Sequence, residues 1–490
     1  MSAVAASPTM TDARVPNRRR TASWAWLRER GMGATILVAA ISSAFGVLLL
    51  SATGYIAAWV DADPYLGGGE TVTAVLGILS VLIVGVAVYI ASIVTANTFA
   101  TIIAGRTRGI ALMRLIGASA RSQRRDVSRQ GVVVGVIGAV VGLVAGALVA
   151  AALLRWADAA LGLSVDYDVL QPVLLLPAAV VALTTWAGAW AGSRRVLDVT
   201  PLQAISGSTP RAHDELAGSR GRRVAAIALS IAGVALLALG VLAGLVNPLG
   251  VVIAFVGGIL SFTGLVLGAA IIMPPLLHLT GRLFGRSATA RLAAQNALRY
   301  PERSSRMAIG VVMGVALVAM FAVANESVKA LFTASAGGEP PREMSQIMDT
   351  FAAIMMGLVA VSAIIAAVGL VNLLTIGVVQ RRRELGLLRA LGLTSGQVRR
   401  VVLLEATHVT ITALAFGLVL GGLYGWIGAQ SLLGSAAVPP AWSSPTFVAP
   451  AIPWMPVLIV VAATAVLTLV AAVVPTRLAT RVTAVEALAE

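Results

Sequence analysis

The chain has 490 residues, of which 58% are hydrophobic and only 12% are charged, and its mean hydropathy is +0.92. A soluble globular fold needs roughly a quarter of its residues charged, so this composition excludes soluble fold classes and predicts an all-α integral membrane protein. The chain contains no cysteine, which excludes disulfides and thiol chemistry. Its formal net charge of +15 has to be interpreted from the positions of the charges along the chain.

Ten apolar stretches are long enough to cross a bilayer, because a hydrocarbon core about 30 Å thick needs about twenty apolar residues per helix. We therefore predict ten transmembrane helices, with cores at residues 33–57, 73–98, 130–153, 171–192, 224–246, 249–273, 306–326, 348–378, 405–431 and 453–475. The first apolar stretch is longer than that of a typical signal peptide, and no small-residue cleavage site clearly follows it. We expect it to remain in the protein as span one.

The positive charges fall almost entirely on one side of these spans. The two terminal segments and the segments after spans two, four, six and eight hold 33 of the 36 positive residues, and the exceptions are Arg155, Lys329 and Arg342. Positive residues in short loops are retained in the cytoplasm, so we expect both termini to be cytoplasmic. No nucleic-acid-binding fold or aromatic platform accompanies the arginines, so the basic tail is expected to contact membrane lipid and no nucleic acid.

No sequence motif of an enzyme is found in the chain. Its single lysine, Lys329, is not part of a GxxxxGK[ST] phosphate-binding loop. The three histidines, His213, His278 and His408, are far apart in sequence and predict no metal site. Glu405 and His408, at the cytoplasmic start of span nine, are expected to be interfacial residues. We therefore expect a chain that is not an enzyme, with no catalytic residue, no metal and no cofactor of its own.

The sequence repeats itself at an offset of 275 residues. Matched pairs include Asn97 with Asn372, Arg108 with Arg383, Leu112 with Leu387, Arg114 with Arg389 and Gly117 with Gly392. Spans one to four and seven to ten are thus two copies of one four-helix module in the same orientation, joined by a two-helix linker, spans five and six. The predicted organisation is a basic tail (1–30), module 1 (31–206), the linker (207–290) and module 2 (291–490).

Each module has an arginine-rich segment between its second and third spans, RTRGIALMRLIGASARSQRRD from Arg106 and RRRELGLLRALGLTSGQVRR from Arg381. Apolar residues three apart predict a short amphipathic helix, which Gly117 or Gly392 would end as a C-cap. The periodicity is compatible with a helix lying on anionic lipid and equally with a helix that docks a cytoplasmic partner.

Glycines recur every four residues in the third span of each module. GxxxG spacing favours close packing of two helices. The predicted packing residues are Gly138, Gly142, Gly146, Gly417, Gly421 and Gly425.

The extended second segment, RRRELGLLRALGLTSGQVRRVVLLEA, resembles the signature of the FtsX-like permease family of ABC transporters, also called the MacB-like or type VII fold. The first copy and the TPLQAIS stretch from Thr200 are similar to the same family. In that family this segment is the coupling helix, which sits in a groove of the nucleotide-binding subunit. The resemblance implies ATPase contacts at Arg108, Leu112, Arg114, Leu115 and Gly117 in one copy and at Arg383, Glu384, Leu387, Leu388, Arg389 and Gly392 in the other.

The first copy has Gly109 where the second has Glu384, so the two docking sites are not expected to be identical. The resemblance implies a permease subunit in the bacterial cell membrane that works with two copies of a separate ABC ATPase. That ATPase would hold ATP and Mg²⁺ and drive export or extraction of a substrate.

The outer loops at 58–72 and 327–347 are too short for an independent domain, which favours a lipophilic, amphipathic or peptide substrate. The sequence leaves open whether an accessory extracytoplasmic protein is a partner. One alternative is an ATPase-coupled signalling or sensing protein that moves no substrate. A secondary transporter is disfavoured because no carboxylate is predicted at mid-membrane.

Overall fold

The computed structural model describes residues 32–62, 81–82, 85, 89, 93, 112–113, 117, 119–161, 167–193, 220–282, 287–299, 301–335, 387, 389–437 and 444–480. This part of the chain is helical apart from turns and connections and contains no strand, which confirms the all-α prediction. Its helices are α1 (Met32–Ala62), α2 (Ala120–Leu161), α3 (Leu175–Ser193, after a 3-10 turn at Pro172–Leu174), α4 (Arg220–Gly244), α5 (Gly250–Gly281), α6 (Ala288–Arg299), α7 (Pro301–Ser335), α8 (Ser395–Leu433) and α9 (Trp454–Thr480).

Seven of the described helices, α1 to α5, α7 and α8, are long and apolar enough to cross a membrane. They lie where spans one, three to seven and nine are predicted, and α9 lies where span ten is predicted. Span eight lies outside the described residues. Of span two the structure describes only the helical residues Val81, Leu82, Gly85, Tyr89 and Ile93. The total of ten spans stays a prediction.

One helix contact is built twice, once in each repeat. In the first copy Gly142 of α2 lies against the backbone of Ala40 in α1, where an added Cβ would be 2.2 Å from the Ala40 carbonyl oxygen. Its repeat partner Gly417 of α8 lies against α7, where an added Cβ would be 2.9 Å from Cβ of Val315 and 3.1 Å from the Val312 carbonyl oxygen. Gly138 and Gly146 extend the first contact, against Ala39 and Ala44, and Gly421 and Gly425 extend the second, against Ala316 and Met320.

Among the described residues, the largest buried cluster is formed mainly by four helices, α1, α5, α7 and α8. It contains Phe45 of α1, Phe262 of α5, Met313 of α7 and Val409 of α8. Among the spans that the structure describes, α7 is the most enclosed and α4 the least. Because α1 and α7 are the first helices of the two repeats, the cluster places the start of each repeat at the common core.

The linker spans form a tightly packed hairpin, α4–α5. Its glycines let the two backbones touch: an added Cβ at Gly233 would be 2.2 Å from the Ser261 amide nitrogen, and one at Gly257 would be 2.6 Å from the Leu237 amide nitrogen. The hairpin also packs against α7 and α8.

Helix α6 is short and amphipathic, and the sequence analysis does not predict it. Ala290, Ala293 and Ala297 are buried against the bundle, whereas Arg291 and Gln295 are exposed. The predicted boundary between the linker and module 2, after residue 290, falls inside this helix. Alanine at a three- to four-residue spacing was the available signal, and it is weak because alanine is also common on exposed helix faces.

Candidate functional site

Exposed arginines gather at one end of the bundle, which we call the arginine-rich end. They stand at the starts of α2, α4 and α8 and just after α5, and they are Arg121, Arg125, Arg129, Arg220, Arg223, Arg282, Arg399 and Arg400. The two segments singled out in the sequence lie here, directly before α2 and α8. We call residues 112–119 turn segment 1 and residues 387–394 turn segment 2.

The structure describes part of each turn segment. Among the implied contact residues, Leu112, Gly117, Leu387, Arg389 and Gly392 are described. The remaining implied contacts lie outside the described residues, namely Arg108, Arg114, Leu115, Arg383, Glu384 and Leu388.

Gly117 and Gly392 have the same backbone conformation, with φ of 101° in both copies. This left-handed region costs a residue with a Cβ roughly 1–2 kcal/mol, so glycine is the residue that ends a helix there at least cost. In turn segment 2 the Leu391 amide donates to the Leu387 carbonyl oxygen (2.9 Å) and the Gly392 amide to the Arg389 carbonyl oxygen (3.0 Å). A short helical turn therefore ends at the glycine.

A hydroxyl residue two positions after each glycine starts the following long helix. The Ser122 amide donates to Ser119 Oγ (3.1 Å) at the start of α2. At the start of α8 the Gln397 amide donates to Thr394 Oγ1 (3.2 Å), and the Thr394 amide donates back to Gln397 Oε1 (2.9 Å). This capping box satisfies two backbone donors that a helix start otherwise leaves without partners. Each turn is thus held directly on the end of a membrane-crossing helix.

Apolar side chains on both turn segments face outward. The exposed fraction is 54% for Leu112, 51% for Met113, 52% for Leu387 and 72% for Leu391. Contiguous exposed apolar groups with a charged rim are typical of protein–protein or membrane contact sites. The near-equal exposure of Leu112 and its repeat partner Leu387 shows that the two copies present the same kind of surface.

The two turns are anchored differently inside the bundle. At the start of α2, the Arg124 guanidinium lies over the Trp190 ring of α3, 4.7 Å from its centroid, and Trp186 Nε1 donates to Ser128 Oγ (3.0 Å). The repeat partner of Arg124 is Arg399, which is exposed, and α8 packs on α6. The helix behind turn segment 1 is therefore held by α3, and the helix behind turn segment 2 packs on α6.

His408, at the predicted cytoplasmic start of span nine, is fully buried within the protein. Its Nε2 lies 2.8 Å from the Leu277 carbonyl oxygen and 3.0 Å from Thr280 Oγ1 of α5. The residues next to His408 in the sequence do not predict that α5 covers this side chain. Among the described residues, no group of three His, Cys, Asp or Glu side chains is placed to hold a metal ion.

Replacing Gly117 or Gly392 by alanine is expected to destabilise its turn by about 1 kcal/mol. The cause is backbone conformation alone, because an added Cβ would meet nothing within 4 Å at either site. Thermal unfolding of the purified chain measures the effect. Gly396→Ala is the control, since Gly396 lies in the first turn of α8 without a positive φ and is expected to tolerate alanine. Equal melting temperatures for all three variants would contradict the role of the turn glycines.

The family profile described as "FtsX-like permease C-terminal" matches residues 81–200 and 356–484, which together make up about half of the chain. The chain is 33% identical over 67 residues to the ABC transporter permease YtrF of Bacillus subtilis (strain 168), which is 14% of this chain and 15% of that protein. It is 26% identical over 80 residues to an uncharacterized ABC transporter permease of Methanocaldococcus jannaschii, which is 16% of this chain and 20% of that protein. These alignments span a fifth or less of the relatives' lengths. The two profile matches begin 275 residues apart, at the offset of the internal repeat, and the chain belongs to the FtsX-like permease family.

Proposed function

We propose that the chain is the permease subunit of an ABC transporter and that each turn segment docks one copy of a separate ATPase subunit. The ATPase binds ATP and Mg²⁺, and this chain passes the resulting movement to the spans. The observation that carries the proposal is the matched construction of the two turns. Each presents exposed apolar side chains beside a left-handed glycine and is capped onto a helix that enters the membrane.

The helices behind the turns are suited to transmit movement. Helix α2 has 42 residues and α8 has 39, so at 1.5 Å per residue they are about 63 and 58 Å long, roughly twice a hydrocarbon core. Neither contains proline, the usual cause of a sharp kink. A push on either turn is therefore passed along one continuous helix and, through the glycine contacts, to α1 or α7.

The arginine-rich end is assigned to the cytoplasm, where an ATPase has access to ATP. The exposed arginines at the starts of α2, α4 and α8 and just after α5 all fall at this end, whereas Arg155 lies near the other end of α2. Under the positive-inside rule we propose that both termini lie in the cytoplasm of a bacterial cell and that the turn segments lie on the inner face of its plasma membrane.

A substrate taken from the bilayer fits the opposite end of the bundle. There the chain after α8 folds back on its own helix: Gln430 Nε2 donates to the Thr446 carbonyl oxygen (2.9 Å), and the Val448 amide donates to Gln430 Oε1 (2.8 Å). The described residues of this connection, 434–437 and 444–453, thus pack on α8 and form no separate domain that could receive a soluble cargo. We propose export or extraction of a lipophilic, amphipathic or peptide substrate, with an accessory extracytoplasmic protein as an optional partner.

Co-purification with a candidate ABC ATPase tests the docking. Replacing Leu387, Leu388 and Arg389 together by alanine is expected to lower the retained ATPase and its stimulation at least about tenfold, because truncating the central residues of an interface removes most of its binding energy. The control is Val419→Ala with Leu423→Ala, two exposed apolar residues on the membrane part of α8. Unchanged complex and ATPase stimulation in the triple variant would refute the docking role.

Measurements on the same complex in vesicles distinguish transport from signalling. Transport predicts that a compound accumulates across vesicles when ATP is turned over. ATP turnover that responds to an extracellular ligand, with no compound accumulating, would favour the signalling alternative.

A further inference from the structure

The hairpin α4–α5 occurs once in a chain that otherwise repeats, and it contacts both repeats. Towards the first repeat it touches span two. The Tyr89 hydroxyl donates to the Ile259 carbonyl oxygen (3.2 Å) and lies 2.6 Å from Thr263 Oγ1. One turn away, an added Cβ at Gly85 would be 2.7 Å from Cζ of Phe255. Span two and α5 are therefore joined by hydrogen bonds and by close packing.

Towards the second repeat the hairpin touches α8 along most of its length. Near the middle, Ser261 Oγ lies 2.8 Å from the Tyr424 hydroxyl. The Phe262 ring lies between Tyr89 and Tyr424, with both centroid distances at 6.4 Å. One aromatic residue of the hairpin thus contacts a tyrosine from each repeat.

The hairpin also contacts α8 on either side of Tyr424. Towards the arginine-rich end, Thr280 Oγ1 lies 2.6 Å from Thr412 Oγ1, beside the contact of His408 with Leu277. At the opposite end, an added Cβ at Gly244 would be 2.5 Å from Cα of Ser431.

Two of the described positions on α2 that the 275-residue offset relates to these contacts are exposed. Ser431 is fully buried under the hairpin, whereas its repeat partner Trp156 on α2 is 69% exposed. Tyr424, which bonds to the hairpin, corresponds to Val149, which is 46% exposed. The hairpin-contacting residues are small or polar, and their partners are apolar: Gly85 corresponds to Ala360, Tyr89 to Ile364, His408 to Val133 and Thr412 to Ile137.

We propose that α4–α5 closes one of the two junctions between the repeats. A substrate held in the bilayer then reaches the contact between the repeats only through the opposite junction, which α2 borders. This proposal rests on the proposed transport function. A chain with two equivalent modules would open on both sides, and the hairpin makes this permease one-sided.

The physical reason is the cost of separating polar contacts in lipid. Opening the closed junction would separate the hydroxyl of Tyr89 or of Tyr424 from its partner on the hairpin, and in hydrocarbon no water replaces that partner. The exposed face of α2 carries Val149 and Val141 in its membrane part, and these side chains have no polar partner to lose. Movement on the α2 side therefore meets the smaller resistance.

Distance measurements between spin labels test the proposal. Because the chain has no native cysteine, the labels attach to it only at the introduced cysteines. One double variant, Val81→Cys with Val246→Cys, spans the closed junction from span two to the hairpin. The other, Trp156→Cys with Phe332→Cys, joins α2 to α7. All four positions are exposed. The chain is studied with its ATPase in lipid nanodiscs, without nucleotide and after trapping with ADP and vanadate.

We expect the first distance to change by less than about 2 Å and the second by more than about 5 Å, the size of a one-turn helix displacement. Tyr89→Phe, which removes the hydroxyl and keeps the ring, is expected to let the first distance change as well. Equal changes across both pairs, or no change in the second pair while ATP is turned over, would overturn the one-sided opening and leave the docking proposal intact. Failure of any ATPase to bind the labelled and unlabelled chain would overturn the proposed function and this inference with it.

Discussion

Replacing Gly421 by valine is expected to destabilise the protein by about 3 kcal/mol or more, at the upper end of the range for overpacked sites. An added Cβ at this position would be 2.4 Å from the Ala316 carbonyl oxygen and 2.6 Å from Cβ of Ala319. The first of these atoms belongs to the backbone of α7, so the side chain cannot be accommodated by a rotamer change. Helices α7 and α8 would have to separate, and α7 is the most enclosed of the described spans.

The neighbouring residue is a matched control. An added Cβ at Gly422 would meet nothing within 4 Å, so Gly422→Val changes helix propensity and hydrophobicity in the same way without the clash. Thermal unfolding of both variants in detergent, followed by size-exclusion chromatography, measures the difference. A Gly421→Val protein as stable as Gly422→Val would show that the glycine contact does not hold α7 and α8 together.

A charge on both turn segments is expected to abolish ATPase docking. Leu112→Asp and Leu387→Asp each place a carboxylate in the centre of one proposed interface, where docking would remove its water. Each single variant is expected to keep one docked ATPase and part of the stimulation. The double variant is expected to lower the affinity for the ATPase more than about 100-fold, in line with charged groups left unpaired in an interface.

Folding should not change in these variants, because both leucines are more than half exposed. Thermal unfolding of the double variant is therefore expected to match the unmodified chain. Val246→Asp, which adds a carboxylate at the exposed turn of the hairpin on the opposite end, is the control for charge alone. A double variant that binds and stimulates the ATPase as well as the control would contradict docking through the turn segments.

The sequence predicted the elements whose signals are local. Long apolar stretches correctly predicted an all-α membrane protein, and the RRRELGLLRALG segment correctly predicted the family. Gly117 and Gly392 stand where the periodic apolar residues end, and the structure has a left-handed backbone at both. Local spacing carries such information because a helix end or a GxxxG stripe is encoded within one or two turns.

The contacts of the hairpin could not be predicted in this way. The hydroxyls of Tyr89 and Thr263 are 174 residues apart in sequence, and neither residue differs in its local pattern from other polar residues in apolar spans. The burial of His408 likewise depends on α5 packing over it. Helix α6 was missed because alanines alone formed its buried face. In each case the deciding partner is supplied by tertiary packing.

The stoichiometry of the assembled complex tests the central claim most directly, since the account assigns one ATPase to each of two turn segments on a single chain. Native mass spectrometry of the complex, purified through a tag on this chain with the ATPase in excess, measures the composition. We predict one copy of this chain with two copies of the ATPase, and one ATPase fewer after Leu387→Asp. A complex that holds no ATPase, or the same number of ATPases with and without that substitution, would contradict the account.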